Sequence, residues 1–329
     1  MKNQKFGLLT YPATPYYNVG DYIQSLAAKQ YLPQVDQLVE REKLRSYDGE
    51  EINMIMNSWY IYNTAEFPPS SKINPLFVSF HLNSSVKDRI LGNESTVNYF
   101  KNYGKVGCRD LYTLQSLQSK GIDAYFSGCL TTTLDLKYKF DGPREGVILA
   151  DPLFLLPNME ILTYNYKFFL KGALRGDLFK LGVRKKLLRK IIDSEILQNV
   201  PNLHHKLPGH HSEERRFQEA EKFLHKFSRA KLVITSRIHC ALPCLALGTP
   251  VIFINYGFSN ASDQSRFKGI TDLFNTINID QNGRIQSNFG FEDGDIINEN
   301  TVAENPSTYK AYAENLKKVC HDFINSLDS

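Results

Sequence analysis

The hydrophobic and polar positions between residues 230 and 255 follow the order of a strand, a helix and a second strand. Leu232-Val233-Ile234 is a short apolar run, and apolar residues then recur at helical spacing from Cys240 to Leu247. After a Gly-Thr-Pro turn, which is typical of the end of a helix, positions 251–254 are again apolar throughout. Apolar strands joined in this way by a helix predict a βαβ unit of parallel strands that is covered on both faces.

Similar apolar runs recur along the chain, and polar residues follow most of them. These runs predict strands at 6–10, 52–56, 76–81, 106–110 and 146–151, and helical spacing predicts helices after Asp21, after Asp110, at 217–227 and at 302–327. A polar stretch with a Gly-Pro pair, 137–146, separates two groups of strands. We therefore expect an α/β chain with two domains, residues 1–140 and 141–329, and leave open whether the C-terminal helix crosses back to the first domain.

The composition is that of a globular protein and excludes several functional classes. The 329 residues are 42% hydrophobic and 22% charged, and the net charge of +4 is too small to indicate nucleic acid binding. No apolar run approaches the roughly 18 residues of a membrane span, and the N-terminus lacks the apolar segment of a signal peptide. Five cysteines without a CxxC pair predict neither a disulfide framework nor a zinc site, so a cytoplasmic location is expected.

One segment is far more basic than the rest of the chain. Between Lys167 and Lys190 there are nine Lys or Arg residues and one acid, Asp177, a net charge of +8. Five leucines are spaced to share one helical face, although three glycines interrupt the segment (Leu170, Leu174, Leu178, Leu181, Leu188; Gly172, Gly176, Gly182). Two interpretations stay open: a solvated helix face, or a patch that contacts the inner face of an anionic membrane or a lipid-linked diphosphate.

The turn after the first strand of the βαβ unit carries residues suited to binding an anion. Ser236, Arg237 and His239 stand between that strand and the helix. Such turns form crevices at the carboxyl edge of a sheet, where free N–H groups and the helix dipole favour negative charge. Arg237 offers a planar fork for a carboxylate or phosphate, and His239 can carry a proton near neutral pH. The alternative is a surface ion pair for Arg237 and a core position for His239.

Further candidates follow other strands of the first domain. Asp21 comes after the first strand and either caps its helix or faces a cleft between the domains. Asn57 and His81 stand at the carboxyl ends of two strands. Arg109 lies between a strand and a helix, where it either forms a structural pair with Asp110 or binds a ligand.

Two other polar clusters have both a structural and a functional interpretation. Ser127, Gly128, Cys129 and Thr131 form a hydroxyl-rich turn that either presents backbone donors to an oxyanion or is an ordinary turn. Four histidines surround a Pro-Gly pair (His204, His205, His210, His211). Because they lack helical i,i+4 spacing and matched cysteines, a metal site is the weaker interpretation, and we expect one of them, assigned as His210, to face the cleft.

Several motifs taken together resemble one known family. The sequence V-I-T-S-R-I-H at 233–239, followed by a small-residue helix and G-T-P-V, is similar to the T-[SD]-R-[LI]-H core of the polysaccharide pyruvyl transferases. Weaker motifs match in the same order: N-V-G-D at 18–21, G-C-R-D at 107–110, S-G-C-L-T at 127–131 and R-F-K-G at 266–269. Ile238 replaces the usual Leu and Ser58 a frequent Gly, and 158–203 matches nothing specific.

The resemblance implies a fold of two Rossmann-like domains similar to the GT-B glycosyltransferases, with the active site in the interdomain cleft. It also implies transfer of a pyruvyl group from phosphoenolpyruvate to two hydroxyls of one sugar, which gives a cyclic ketal and phosphate. The acceptor would belong to exopolysaccharide or capsule biosynthesis, and the sequence leaves open whether it is lipid-linked, a free glycan or a nucleotide sugar. No metal or organic cofactor is expected besides phosphoenolpyruvate as co-substrate. Arg237 and Arg109 would hold its two acidic groups, with Arg266 as a further ligand.

In that chemistry we assign His239 as the general acid/base and Asp21 or His81 as a second proton acceptor near the sugar. A GT-B glycosyltransferase that uses a nucleotide sugar is the alternative enzyme, because that fold binds a diphosphate at the corresponding C-terminal helix. A catalytically silent sugar-binding or scaffold protein is the alternative of another class.

Overall fold

Parallel strands of the N-terminal half lie side by side in the computed structural model, which describes residues 4–13, 15–159, 162, 166–257 and 265–327. Strand β1 (Gly7–Thr10) pairs with β3 (Gln37–Glu40), β4 (Ile52–Met56) with β6 (Ile73–Phe77), and β8 (Val106–Cys108) with β9 (Ala124–Phe126). The short strands β5 (Trp59–Tyr60) and β7 (His81–Leu82) follow β4 and β6 and also pair in parallel. Bridges from Phe6 to Asn53 and from Phe80 to Cys108 place the strands in the order β3-β1-β4-β6-β8-β9.

A second sheet is formed by the C-terminal half. Its order is β10 (Glu145–Ala150), β12 (Ala230–Thr235), β13 (Val251–Tyr256), β14 (Asn275–Ile279) and β15 (Ile285–Ser287). The first four strands are parallel and only β15 is antiparallel to its neighbour. Between β12 and β13 the chain forms helix α10 (Ile238–Ala246), so the predicted βαβ unit is confirmed. The α/β class predicted from the alternating pattern is confirmed as well.

The remaining helices cover the sheets. They are α1 (Val19–Lys29), α2 (Lys87–Leu91), α3 (Glu94–Tyr103), α4 (Leu111–Gln118) and α5 (Asp135–Tyr138) in the first half, and α6 (Tyr166–Leu174), α7 (Asp177–Ile191), α8 (Ser194–Asn199), α9 (Glu213–Arg229) and α11 (Tyr309–Ser326) in the second. Helix α9 is longer than predicted because Ser212 caps it, accepting a hydrogen bond from the backbone N–H of Arg215.

The expectation that five leucines of the basic segment share one helical face is wrong. Gly176 has a φ of 73°, a left-handed conformation that ends α6 and starts α7 in a new direction. Leu188 is consequently buried against the second sheet at 7% exposure, whereas Leu174 is 89% exposed. The segment is helical, as its spacing predicts, but Gly176 shifts the helical phase between α6 and α7, so the leucines before and after it do not share one face.

The two halves of the chain contact each other next to the start of α1. Strand β2 (Tyr16–Asn18) pairs antiparallel with β11 (Lys206–Pro208) from the second half. The N–H of Val19, the first residue of α1, donates to the carbonyl of His205 at 2.8 Å. Helix α11 in turn packs on the first half, where Lys317 lies 2.8 Å from Asp135. The first turn of α1 is therefore held beside the βαβ unit of the second half.

Candidate functional site

A small pocket opens where the first turn of α1 meets the turn between β12 and α10. Asn18, Gly20, His205, Arg237, His239 and Arg266 contribute to its lining, together with Phe154, Ser236, Ile238 and Phe267. Residues far apart in sequence come together here because β2 and β11 fix α1 against the second half. The carboxyl ends of β10 and β12 lie at this edge, which is the place where α/β sheets bind ligands.

Arg237 is oriented by a carboxylate and an aromatic ring. Its Nε and Nη2 atoms both lie 2.9 Å from Oδ2 of Asp151, and its guanidinium carbon lies 3.7 Å from the centre of the Phe154 ring. Burial lowers the pKa of Arg237, while Asp151 acts in the opposite direction. Asp151 therefore uses only one side of the planar fork, which fixes the direction in which the guanidinium faces the pocket.

Asp151 connects Arg237 to the histidine segment. Its carboxylate accepts hydrogen bonds from the backbone N–H of His205 at 3.0 Å and contacts Nδ1 of His204 at 2.9 Å. Burial acts to raise the pKa of Asp151, but His204, Arg237 and His205 together hold it well below its usual value. Asp151 itself has a φ of 49°, an uncommon left-handed conformation for a non-glycine residue. Sequence reasoning assigned Asp151 only to the end of a strand and missed this role.

Arg109 is buried, and part of its guanidinium lacks a partner. The side chain is 1% exposed, and its Nε and Nη2 atoms have no hydrogen-bond partner among the described residues. Asp110 is 3.7 Å from Nε, a long ion-pair distance with no hydrogen bond. Burial lowers the pKa of Arg109, with Asp110 opposing that shift. A desolvated guanidinium is costly to the fold unless its donors are paired.

His81 and Asp110 form a buried pair beside Arg109. Nδ1 of His81 lies 2.5 Å from Oδ2 of Asp110, whose other oxygen caps α4 by accepting from the N–H of Thr113. Burial, followed by the charge of Arg109, lowers the pKa of His81 to about 4. The pKa of Asp110 is also lowered, since His81 and Arg109 outweigh its burial. The pair is therefore a neutral imidazole that donates from Nδ1 to a carboxylate, which leaves Nε2 as a proton acceptor.

His239 lies at a kink in the first turn of α10. Its backbone has non-helical angles, φ −81° and ψ 19°, because Pro243 lacks the N–H that would bond to the His239 carbonyl and its ring crowds that carbonyl. The side chain is 6% exposed and packs on Gly20 of α1, and its Nε2 atom has no hydrogen-bond partner in the described part of the chain. Burial, aided by the charges of Arg109 and Arg266, holds the pKa of His239 well below its usual value.

Asp21 does not cap α1, although the sequence left that possibility open. Asn18 is the cap and accepts from the N–H of Gly20, while the carboxylate of Asp21 accepts from the side-chain amides of Asn18 and Gln24 at 3.2 and 3.4 Å. Burial raises the pKa of Asp21, against the opposing charges of Arg41 and Arg266. Asp21 is thus a carboxylate of increased basicity within the electrostatic reach of a pocket arginine.

Several predicted residues have structural hydrogen bonds. The hydroxyl of Ser127 donates to the carbonyl of Cys108 and accepts from the N–H of Ser79, and Cys129 and Thr131 contact each other at 3.2 Å in a buried turn after Gly128. Ser236 lines the pocket but donates to the carbonyl of Ile254. These side chains hold strands and turns in place, so direct contact with a ligand would come from neighbouring backbone groups.

The other three predicted residues differ in position. Asn57 is buried and donates to the carbonyl of Gln24, and its Oδ1 has no partner among the described residues. Arg266 lines the pocket. His210 is exposed and contacts the ring of His211 edge to face, whereas the member of the histidine cluster that is buried and lines the pocket is His205. The sequence identified a histidine cluster but could not show that β11 turns His205, and not His210, toward the site.

Stability is expected to decrease in acid partly because of His205. Burial is the main cause that lowers its pKa to about 3, and the ring packs between Phe223 and Phe227. The unfolded chain binds this proton near pH 6.5 and the folded chain does not, so stability is complete above that pH and decreases as pH falls toward 3. His205→Leu should reduce the slope of unfolding free energy against pH by up to about 1.4 kcal/mol per unit.

Chemical denaturation at a series of pH values between those limits measures this slope. His225→Leu is the matched control, because it also removes a histidine, but one that is exposed on α9. An unchanged slope in His205→Leu would show that other groups cause the acid sensitivity.

Arg237, Arg266, His205 and His239 thus line the pocket, whereas Arg109 and His81 lie outside its lining but within the electrostatic reach of His239, and Asp21 within that of Arg266. Charged and titratable groups clustered in this way at strand ends are typical of proteins that bind anionic ligands. The model of the polysaccharide pyruvyl transferase family matches residues 18–257. The chain therefore belongs to this family of transferases.

Comparisons with individual proteins add little to this assignment. No curated protein shows a significant match. A crystal structure of an uncharacterized protein from Klebsiella pneumoniae subsp. pneumoniae NTUH-K2044 is similar with 15% identity and a TM-score of 0.43, over 79% of this chain and 87% of that chain.

Proposed function

We propose that the protein transfers a pyruvyl group from phosphoenolpyruvate to two hydroxyls of one sugar in exopolysaccharide or capsule biosynthesis. The observation that carries the proposal is the desolvated guanidinium of Arg109, with two unused donor atoms, in the same electrostatic field as Arg266 and His239. Phosphoenolpyruvate carries two anionic groups, a carboxylate and a phosphate. Arg109 and Arg237 follow different strands, and each guanidinium can bind one of these groups. We further propose that residues 1–140 and 141–329 are two Rossmann-like domains in a GT-B-like arrangement, with the first holding the acceptor.

The overall reaction balances without an oxidant or a reductant. Carbon 3 of phosphoenolpyruvate gains a proton and becomes a methyl group, and carbon 2 forms two bonds to sugar oxygens and loses its bond to phosphate. The two hydroxyls release two protons, of which one balances the proton on carbon 3 and the other leaves with the phosphate. A site for this reaction needs one group that delivers a proton and one that accepts it.

His239 is suited to deliver the proton to carbon 3 once the donor is bound. Its pKa is low in the empty pocket because burial and two arginines disfavour the imidazolium form. A bound dianionic or trianionic donor would neutralise the arginine charges and raise that pKa. Protonation of the acid would thereby be linked to donor binding, and the site would not hold a charged histidine without its substrate.

His81 is suited to accept the hydroxyl proton. Its Nδ1 is committed to Asp110, so the lone pair of Nε2 is available and lies buried without a protein partner in the described structure. Asp21 remains the other acceptor, because burial raises its pKa. To Asn57, whose Oδ1 at the end of β4 has no partner among the described residues, we assign the orientation of a sugar hydroxyl.

Phosphate release from phosphoenolpyruvate, measured with and without saccharide acceptors, tests the proposal together with mass spectrometry of the acceptor. We expect release only with acceptor and a mass gain of one pyruvyl ketal. Arg237→Lys keeps the charge but loses the fork that Asp151 orients, so KM for phosphoenolpyruvate should rise about 10- to 100-fold.

The matched control is Arg229→Lys, because Arg229 also lies over an aromatic ring, that of Phe140, but outside the pocket. An unchanged KM in Arg237→Lys would contradict the assigned anion site. Stabilisation by a nucleotide sugar and not by phosphoenolpyruvate would replace the proposed donor with that of a glycosyltransferase.

A further inference from the structure

The two helices of the basic segment, α6 and α7, are joined at Gly176, whose left-handed backbone separates them, and the segment is called here the basic hairpin (166–191). Four large apolar side chains near its turn are solvent-exposed: Leu170 at 56%, Leu174 at 89%, Leu178 at 45% and Phe179 at 80%. Elsewhere in the described residues, apolar side chains this exposed are scattered singly, as Tyr62 and Val302 are. Exposed apolar side chains concentrated in one short segment are typical of an interaction surface.

Basic side chains continue the same face of α7. At about 100° per residue, Leu178, Phe179, Lys185, Lys186 and Arg189 fall within roughly 120° of arc, and the two groups lie on the order of 10 Å apart along the helix. Lys185, Lys186 and Arg189 are exposed and form no ion pair with the described residues. The opposite face of α7 is anchored by Leu187, Leu188 and Ile191, which are buried. The outward face therefore has an apolar tip and a basic flank.

The hairpin lies at the same edge of the second sheet as the candidate site. Arg184 of α7 donates to the carbonyl of Pro152 at 3.0 Å, one residue after Asp151. Lys180 borders a groove with Tyr256 and Gly257 at the carboxyl end of β13. A partner surface that contacts the turn of the hairpin would therefore lie near the edge of the second sheet at which Arg237 precedes α10.

From these observations we propose that the basic hairpin docks the protein on an anionic lipid bilayer, with the exposed leucines and Phe179 entering the headgroup region and the basic flank contacting lipid phosphates. The exposed apolar side chains match the interior of the headgroup region, because leaving water is favourable for them. The basic flank matches the anionic headgroups, which attract cations. No described helix is long and apolar enough to cross a membrane, so the contact is peripheral. A protein partner would have to supply an acidic apolar face of the same shape, for which the chain gives no indication.

Vesicle sedimentation tests the proposal with vesicles of phosphatidylcholine alone and of an equal mixture of phosphatidylcholine and phosphatidylglycerol. The wild-type protein should bind the mixed vesicles and not the neutral ones, and added salt should weaken binding. Combined Lys185→Gln, Lys186→Gln and Arg189→Gln should weaken binding about 100-fold, at roughly fivefold per charge. Combined Leu174→Ser and Phe179→Ser should weaken it about tenfold or more.

Matched controls separate the hairpin from general charge and apolar effects. Lys101→Gln, Lys105→Gln and Lys120→Gln remove three exposed charges from the first half, and Val302→Ser removes a side chain that is 82% exposed, so both should bind like the wild type. Equal binding to both vesicle types, or hairpin variants that bind normally, would overturn the proposal. The proposal would also be overturned if the wild-type protein did not bind vesicles and formed a dimer that the hairpin variants disrupt.

The membrane contact and the proposed chemistry can fail independently. Arg109→Met should retain full vesicle binding, because Arg109 is buried in the first half and not on the hairpin. The hairpin variants should in turn retain turnover of a water-soluble acceptor.

Discussion

Replacing Arg109 by methionine is expected to make the protein catalytically inactive with little change in stability. The side chain is buried, two of its nitrogens lack partners in the described structure, and its contact with Asp110 is 3.7 Å long. Methionine fills a similar volume without a charge to desolvate, while Asp110 loses one nearby cation but keeps its contacts with His81 and the N–H of Thr113, so we expect the unfolding free energy to change by less than about 2 kcal/mol. Phosphate release should fall by about 1000-fold or more, since a desolvated guanidinium supplies much of the anion's stabilisation.

Thermal denaturation and phosphate release on the same preparation measure both effects. Arg41→Met is the comparison for stability, because Arg41 is equally buried but stacks over Trp59 at 3.6 Å and pairs with Glu42 at 2.8 Å. That variant should lose stability because it removes the cation–π contact with Trp59 and leaves the half-buried carboxylate of Glu42 without its partner. A large loss of stability in Arg109→Met would show that Arg109 is structural and would contradict its role as an anion ligand.

Replacing His239 by glutamine is expected to reduce kcat by about 100- to 10,000-fold with little change in melting temperature. The Nε2 atom makes no hydrogen bond with described residues, so the fold loses little when the ring is replaced. The reaction loses the group that we assign to the delivery of a proton to carbon 3. The plot of kcat against pH should also lose the limb that reports the ionisation of His239 in the donor complex.

Gly20→Ala tests the same histidine without removing it. A Cβ at Gly20 would lie 3.0 Å from Cβ of His239, so the imidazole would have to shift by a few tenths of an ångström. Alanine is also favoured over glycine within a helix, so stability should not decrease much. A kcat lowered about tenfold with wild-type stability would support a requirement for the position of the ring. Unimpaired turnover in His239→Gln would reject His239 as the acid.

The local pattern of the sequence was sufficient for the elements that present the site. Short apolar runs and helical spacing identified β12, α10 and β13, and the polar residues at their junction marked Arg237, Ser236 and His239. The same reasoning located Arg109 after β8 and Asp21 after β1. These predictions succeed because the period of side-chain burial and the chemistry of strand ends are local properties.

The partners of these residues could not be predicted. Asp151 looked like the end of a strand, and no spacing links it to Arg237, which follows 86 residues later. His210 was chosen from four neighbouring histidines, although the pairing of β11 with β2 brings His205 into the pocket instead. The leucines of the basic segment suggested one face until Gly176 divided them. In each case the deciding contact joins segments distant in sequence or depends on one backbone conformation.

By itself, therefore, the sequence determined the α/β class, the family and the residue types that the site would use. The tertiary structure alone decided which of them meet: that Asp151 holds Arg237, that two nitrogens of Arg109 find no hydrogen-bond partner among the described residues, that Nδ1 of His81 is hydrogen-bonded to Asp110, and that the hairpin exposes apolar side chains near its turn. The physical reason is that ionisation, desolvation and exposure depend on what surrounds a group in space, and long-range packing sets those surroundings.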